Sequence, residues 1–476
     1  MKKLHVFRII MFFSIILVPI ATMNLKENQV SEIDNRALTN FADIKNSDIK
    51  DIANNIEGYI EDRIGFRDKM VSTYTIGMDR LFNDMVHPSY QYGEEGYIFA
   101  KLSAETFNSE FQEVFSSFIA DFEKYCTDRG IKFLYAAEPS KPIVYNEYLP
   151  EGFNYTNKNF EYFLSLLEEK NVNFLYTGEA LIEAKDTTQV YDKKFDAGHW
   201  NETGALIGMS AILDRLNSLD SRVAPFDINK FEKVEHKNTT LPVSYFPIDE
   251  TTIHYNLINN NSRAVTDYKD EIKISNQHKT FVHYKNDNNK DAPKILVFAG
   301  SYFNSKDKFL TESFSEYVKV HNYHNVINYD YYINLFNPDI ILFESTEYTH
   351  SNSFFPVDLM KTTIHNKAFS SYDLNDLNGL NDLKEVNFAS PVNGYSLNKS
   401  NTNISNFSIE LTGDTPLYAY ADIGGRILDC RIVENEGKQF VEFSVKTTDL
   451  DNLDSLILYL ISKDESEYCR IKFDLN

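Results

Sequence analysis

Apolar residues change their spacing several times along this chain, and each change predicts an element. From Phe107 to Asp128 they recur every three to four positions, the period of an amphipathic helix, and Asn159 to Glu169 repeats the pattern. Four short, nearly unbroken apolar runs predict buried strands: Ile131-Lys-Phe-Leu-Tyr-Ala-Ala137, Val172-Asn-Phe-Leu-Tyr176, Lys294-Ile-Leu-Val-Phe-Ala299 and Asp339-Ile-Ile-Leu-Phe-Glu344. Strands separated by helices imply parallel pairing, so the expectation is a three-layer α/β domain with a parallel sheet. Phe309 to Val320 reads as a further helix, and so does Glu202 to Leu216, behind an extended stretch at Thr188–Asp192. From about Val386 the period drops to two, in Phe407–Leu411, Leu417–Asp422, Gln439–Val445, Ser455–Leu460 and Cys469–Phe473. That predicts an all-β module, most simply sandwich-like.

The flanking pattern divides the chain. Lys2, Lys3 and Arg8 precede the apolar run Ile9–Met23, so residues 1–24 read as a signal anchor or signal peptide, the apolar run being short for a span. Residues 25–100 form a helical lead-in ending in a turn at Gly93–Gly96 and a strand-like Tyr97–Phe99, and 101–385 hold the α/β domain. Within it, about 225–291 is rich in Asn, Lys, Thr and aromatics and predicts an insertion of short strands and loops beside the sheet. Residues 386–476 are the β-module.

The 476 residues are 42% apolar and 14% aromatic, enough for a large core, and a net charge of −23 argues against nucleic acid as a partner. Of three cysteines, Cys430 and Cys469 fall in the β-module, where they either pair or are buried thiols, as Cys126 is. His236, His254, His278 and His283 lie in the insertion without metal-ligand spacing; no metal or cofactor is expected.

The chemistry gathers at two places. Asp196-Ala-Gly-His-Trp-Asn-Glu-Thr-Gly-Ala205 sets a carboxylate and an imidazole three residues apart, before a helix and beside Trp200, the one tryptophan. About a hundred residues later, Gly300-Ser301 ends a buried strand, the edge at which open α/β sheets bind ligands. Singly, Gly-Ser is an ordinary turn and Asp-x-x-His a helix start. Together they offer a nucleophile (Ser301), a base (His199) and an orienting carboxylate (Asp196).

Asp196-x-x-His199 followed by Asn201 and Gly204-Ala205 resembles the Asp/His block of SGNH hydrolases. In most of them the Ser block comes first. Its later position here, behind an N-terminal anchor, resembles the alginate O-acetyltransferase family of the AlgX/AlgJ type. Asp34–Leu38, Glu61–Arg67, Gly93–Phe99, Pro139–Tyr145 with Tyr148–Pro150, and Pro338–Glu347 agree with it, over roughly residues 32 to 350. The chain departs from that family in having Gly300 before the serine, where Asp or Thr is usual, and one extra residue between acid and imidazole.

The resemblance implies an SGNH-like fold with permuted motif order and an extracytoplasmic enzyme, membrane-anchored, or secreted or periplasmic if the signal is cleaved. It would move acetyl groups to a cell-surface polysaccharide through a Ser301 ester. A membrane-bound acyltransferase is the implied source of acetyl. Oxyanion or sugar contacts are expected from Tyr302, Lys141 and Trp200, with Phe303 beside them, and the β-module would resemble carbohydrate-binding modules. An esterase with the same three residues and a non-catalytic glycan-binding surface protein remain alternatives.

Overall fold

The computed structural model describes all residues except 1, 27–28, 32–35, 46–50, 88, 103–105, 154, 243–245, 276–278, 373–382, 393–394, 399–402, 452 and 476. His278 and the start of the Asp34–Leu38 motif therefore lie outside the described residues.

Seven strands form the central sheet: β1 (Lys132–Glu138), β2 (Phe174–Tyr176), β3 (Ser262–Ala264), β4 (Phe281–Asn286), β5 (Lys294–Ala299), β6 (Glu316–His321) and β7 (Ile340–Thr346), in the order β2-β1-β7-β5-β6-β4-β3. β2 through β6 in that order are parallel, while β4 and β3 add antiparallel to the edge. The sheet is therefore mixed. The end of the insertion is part of it, because the β4 side chains Phe281 and His283 pack into the protein instead of facing water.

Alternate strand positions feed two cores. Tyr135, Phe298, Val318 and Phe343 point to one, covered by the helices Ser109–Thr127 and Lys158–Glu169. Leu134, Val297, Tyr317 and Leu342 point to the other, covered by Glu202–Leu219. Phe111, Phe115, Phe118 and Phe122 fall at helical spacing on the first of these helices and are all buried. Each contributes on the order of 2 kcal/mol of hydrophobic stabilisation.

The helix expected over Phe309–Val320 is absent. Short 3₁₀ turns lead instead into β6, every residue of which is buried, and the apolar run that resembled a helix stripe is a strand in the sheet interior. The insertion opens with a hairpin, Phe231–Thr240 paired with Pro247–Leu257.

The C-terminal module is all-β, as expected, but it is one curled sheet and not a two-sheet sandwich. Strand Arg426–Asn435 pairs through its first half with Tyr418–Ile423 and through its second half with Lys438–Lys446. The sheet bends at that handover into a half-barrel around Phe407, Ile409, Leu428, Val441 and Leu458. Strand alternation shows which face is buried, not how a sheet closes. Cys430 is aligned with Ala419, Ala419 with Leu460 and Leu460 with Cys469, so two strands separate the thiols and both are free.

At the other end, Lys2–Ala21 is a 20-residue exposed helix, reaching back beyond the apolar run. At about 30 Å, with mean hydropathy 2.2 over Lys3–Ala21, it is long and apolar enough to cross a bilayer, a test that signal sequences also pass. Its end meets the lead-in helices Ile52–Arg63 and Arg67–Phe82, where Gly65 N–H donates to Pro19 O at 2.9 Å.

Candidate active site

The loop that carries Asp196 is held from three sides before it reaches the helix. Glu250, from the hairpin, accepts the N–H groups of Lys193, Lys194 and Phe195 at 2.6–2.8 Å. Lys141, fully buried, donates to Ile98 O at 2.6 Å and Asp196 O at 3.2 Å. Asn201 then caps helix Glu202–Leu219, accepting from Gly204 N–H at 2.8 Å. Gly204 and Gly208 keep that helix close: a Cβ would lie 2.1 Å from Val190 O at the first and 2.3 Å from the Trp200 ring at the second.

Within this frame the extra residue of Asp-x-x-His is accommodated by a turn. Asp196 Oδ1 accepts the Gly198 and His199 N–H groups, both at 2.9 Å, which folds the carboxylate back onto the ring. His199 Nδ1 then lies 3.2 and 3.1 Å from the two Asp196 oxygens, and His199 Nε2 lies 2.9 Å from Ser301 Oγ. With Nδ1–H donated to the Asp196 carboxylate, Nε2 is left to accept the serine hydroxyl.

Ser301 opens a single 3₁₀ turn, Ser301–Phe303, directly after β5. Gly300 ahead of it has φ −85°, which any residue adopts, so its lack of a side chain leaves space rather than relieving strain. Gly300 N–H donates to Glu344 Oε2 at 2.7 Å.

Charge follows the geometry. Burial works against the Asp196 carboxylate, yet the His199 charge and hydrogen bonds from His199 and Gly198 hold its pKa down to about 2. Burial also works against the His199 imidazolium, and Asp196 outweighs it, lifting the ring above its ordinary 6.5. Glu344 is fully buried, and burial pushes it up to about 7 against the pull of the Gly300 N–H. Burial also lowers Lys141 to about 8.

Ser301, His199 and Asp196 lie together in the structure; the other three residues named from the sequence make backbone contacts instead. Trp200 is 2% exposed, lies against Gly208 and donates Nε1–H to Tyr302 O at 2.9 Å, so it is no platform for a sugar. Tyr302 is 1% exposed and its hydroxyl meets Gly198 O at 2.8 Å and Pro139 O at 3.2 Å. Lys141 faces main-chain carbonyls, as above. All three donors are committed to the backbone, and none is free for an oxyanion. Trp200 and Tyr302 lock the 196–200 loop to the Ser301 turn, and Lys141 ties the same loop to Ile98. Phe303 is core.

The sequence reading passed over Glu250, Glu344, Tyr323 and Tyr348. Glu344 carries a signal that could have found it, a carboxylate inside the apolar run of β7. Tyr348 lies two residues past the end of that strand and is 45% exposed, with its hydroxyl 3.4 Å from Ser301 Oγ. Among the described residues no group of three or more His, Cys, Asp or Glu could hold a metal.

A hydroxyl, an imidazole and a carboxylate in one hydrogen-bonded line at a strand end is an arrangement that can run acyl transfer. No protein-family model matches the chain, and no curated protein does. Solved structures similar to it include Bacillus cereus PatB1 with a sulfonyl adduct, at 20% identity and TM-score 0.45, covering 57% of this chain and 99% of that one. The O-acetyltransferase domain of Pseudomonas putida AlgJ matches at 16% identity and TM-score 0.40, covering 58% and 99%. Pseudomonas aeruginosa AlgX matches at 13% and 0.39, covering 80% and 90%. At these identities and scores they carry no assignment of activity.

Proposed function

We propose that this chain is an extracytoplasmic O-acetyltransferase that carries acetyl as an ester on Ser301 and passes it to a hydroxyl of a cell-surface or secreted polysaccharide. The observation that carries the reading is the serine Oγ at 2.9 Å from an imidazole whose other nitrogen faces a carboxylate. His199 takes the Ser301 proton as Oγ attacks the donor's acyl carbon, then protonates the leaving group; Asp196 holds the ring and its charge. In the second half-reaction a sugar hydroxyl gives its proton to His199 and attacks the ester carbon, and His199 returns that proton to Ser301 Oγ as its bond to the acyl carbon breaks. The Ser301 N–H, first in its turn, is one oxyanion donor. The half-exposed rim around His199 and Tyr348 suits a polymeric acceptor.

The first helix would hold the enzyme at the membrane, where a membrane-bound acyltransferase would supply acetyl. The site needs no metal or cofactor for this chemistry. The test is a serine-reactive ester probe on wild type and Ser301→Ala, followed by incubation with an activated acetyl ester and candidate glycans. Labelling confined to wild type, with acetylated glycan formed, is expected. Equal labelling of both proteins eliminates Ser301 as nucleophile. Hydrolysis with no acetylated glycan, over a range of acceptors, assigns the site to an esterase.

A further inference from the structure

Ser301 ends its strand between two others, and each of those strands delivers a tyrosine to it. β5 lies between β6 and β7; Tyr323 stands two residues past the end of β6, and Tyr348 two residues past the end of β7. The Tyr348 hydroxyl is 3.4 Å from Ser301 Oγ, and the Tyr323 hydroxyl lies beside Gly300, the residue before it. A serine hydroxyl has one proton and two lone pairs. With its proton directed at His199 Nε2, Ser301 Oγ keeps lone pairs on the side where the two tyrosines stand.

Gly300 packs against Tyr323, with a Cβ there in ordinary van der Waals contact. A Cβ there would lie 3.4 Å from the Tyr323 hydroxyl and 3.5 Å from Asn322 Oδ1, a fully buried oxygen with no partner among the described residues.

We propose that Tyr348 and Tyr323 are catalytic residues whose hydroxyls bind the oxyanion formed when Ser301 is acylated. The proposal rests on the acyl-transfer reading above. In the step, Ser301 Oγ bonds to the acyl carbon, the carbonyl π pair moves onto oxygen, and the serine proton passes to His199 Nε2. The oxyanion sits on the carbon that Oγ has just joined, within reach of the donors on that side of Oγ. Oγ has meanwhile given its proton to His199 and one electron pair to carbon, which leaves it a weaker acceptor than the oxyanion, so both O–H groups turn to the latter. Collapse restores the carbonyl, breaks the bond to the leaving oxygen and returns the His199 proton to it. No tyrosine proton is transferred, and burial keeps the Tyr323 phenol protonated well past the usual range.

The experiment is the burst of p-nitrophenolate from p-nitrophenyl acetate, measured on the full chain for wild type, Ser301→Ala, Tyr348→Phe and Tyr323→Phe. Tyr348→Phe is expected to slow acylation about 100-fold, the usual cost of one oxyanion donor, with KM and the pH midpoint little changed. Tyr323→Phe is expected to do likewise; because Tyr323 is buried, its melting curve is read alongside, and Tyr348, at the surface, carries the decision. A burst rate in Tyr348→Phe equal to wild type, or a rise in KM alone, overturns the proposal. A burst retained in Ser301→Ala overturns the acyl-enzyme reading itself, a separate result.

Discussion

At the ends of the strands where the β-module docks, Asp429 accepts from Arg129 Nε and Nη2, at 3.0 and 2.8 Å, and from the hydroxyl of Tyr125. Nearby Arg431 donates to Asp330 at 2.7 Å and Asn334 to Asp429 O, also at 2.7 Å. At the opposite ends, around Ser301, Glu138 Oε1 and Asn322 Oδ1 have no partner among the described residues. Glu138 and Glu344 also repel one another's charge in the dry interior. Both ends bury polar groups. One neutralises them pair by pair, while the other keeps them under tension next to Ser301. The first pattern holds two parts of a chain together; the second is typical of sites where environment tunes reactivity.

Substitution should separate the two ends, rate answering at one and stability at the other. The largest effect is expected for Ser301→Ala or His199→Ala, which should lower acylation by about 10⁶-fold with an unchanged melting curve. Asp196→Asn should cost about 10⁴-fold. It should also move the rising limb of the pH–rate profile to lower pH, because the carboxylate that lifts His199 is gone and the ring is neutral sooner. At the docking end, Asp429→Ala leaves the Arg129 guanidinium buried without its partner. It should destabilise by about 3 kcal/mol in urea melts, with the burst rate kept.

The smallest effect is expected from Glu344→Gln. Wild-type Glu344 has its pKa raised from 4.5 to about 7, so the folded state holds a proton that the unfolded chain has lost. Stability should fall as pH rises through that window, and melts taken across it should show a shallower fall in Glu344→Gln. An unchanged slope would mean that Glu344 is not part of the tension at the site end.

Much of this was legible in the residues. The parallel strands and the helices that cover them have unambiguous periods, and the Asp196–His199 and Ser301 blocks are short local patterns whose meeting follows from strand-end placement. What failed did so for tertiary reasons. β6 presents apolar residues on both faces, a pattern shared by buried helices and interior strands. Tyr302, Lys141 and Trp200 had the right chemistry at the right place, but nothing local shows that backbone carbonyls claim their donors. Tyr348 and Tyr323 reach Ser301 only because β7 and β6 flank β5, a pairing no local pattern encodes. The half-barrel turns on one strand changing partners midway.

The buried, unpaired thiols have a practical consequence. Cys126, Cys430 and Cys469 are all shielded, and burial holds each in the protonated form. The fold therefore depends on no crosslink and can be assembled under reducing conditions. It also offers a silent background for alkylating reagents, so that a single cysteine placed at the rim becomes a fluorescent or spin reporter of events there, with no native thiol removed.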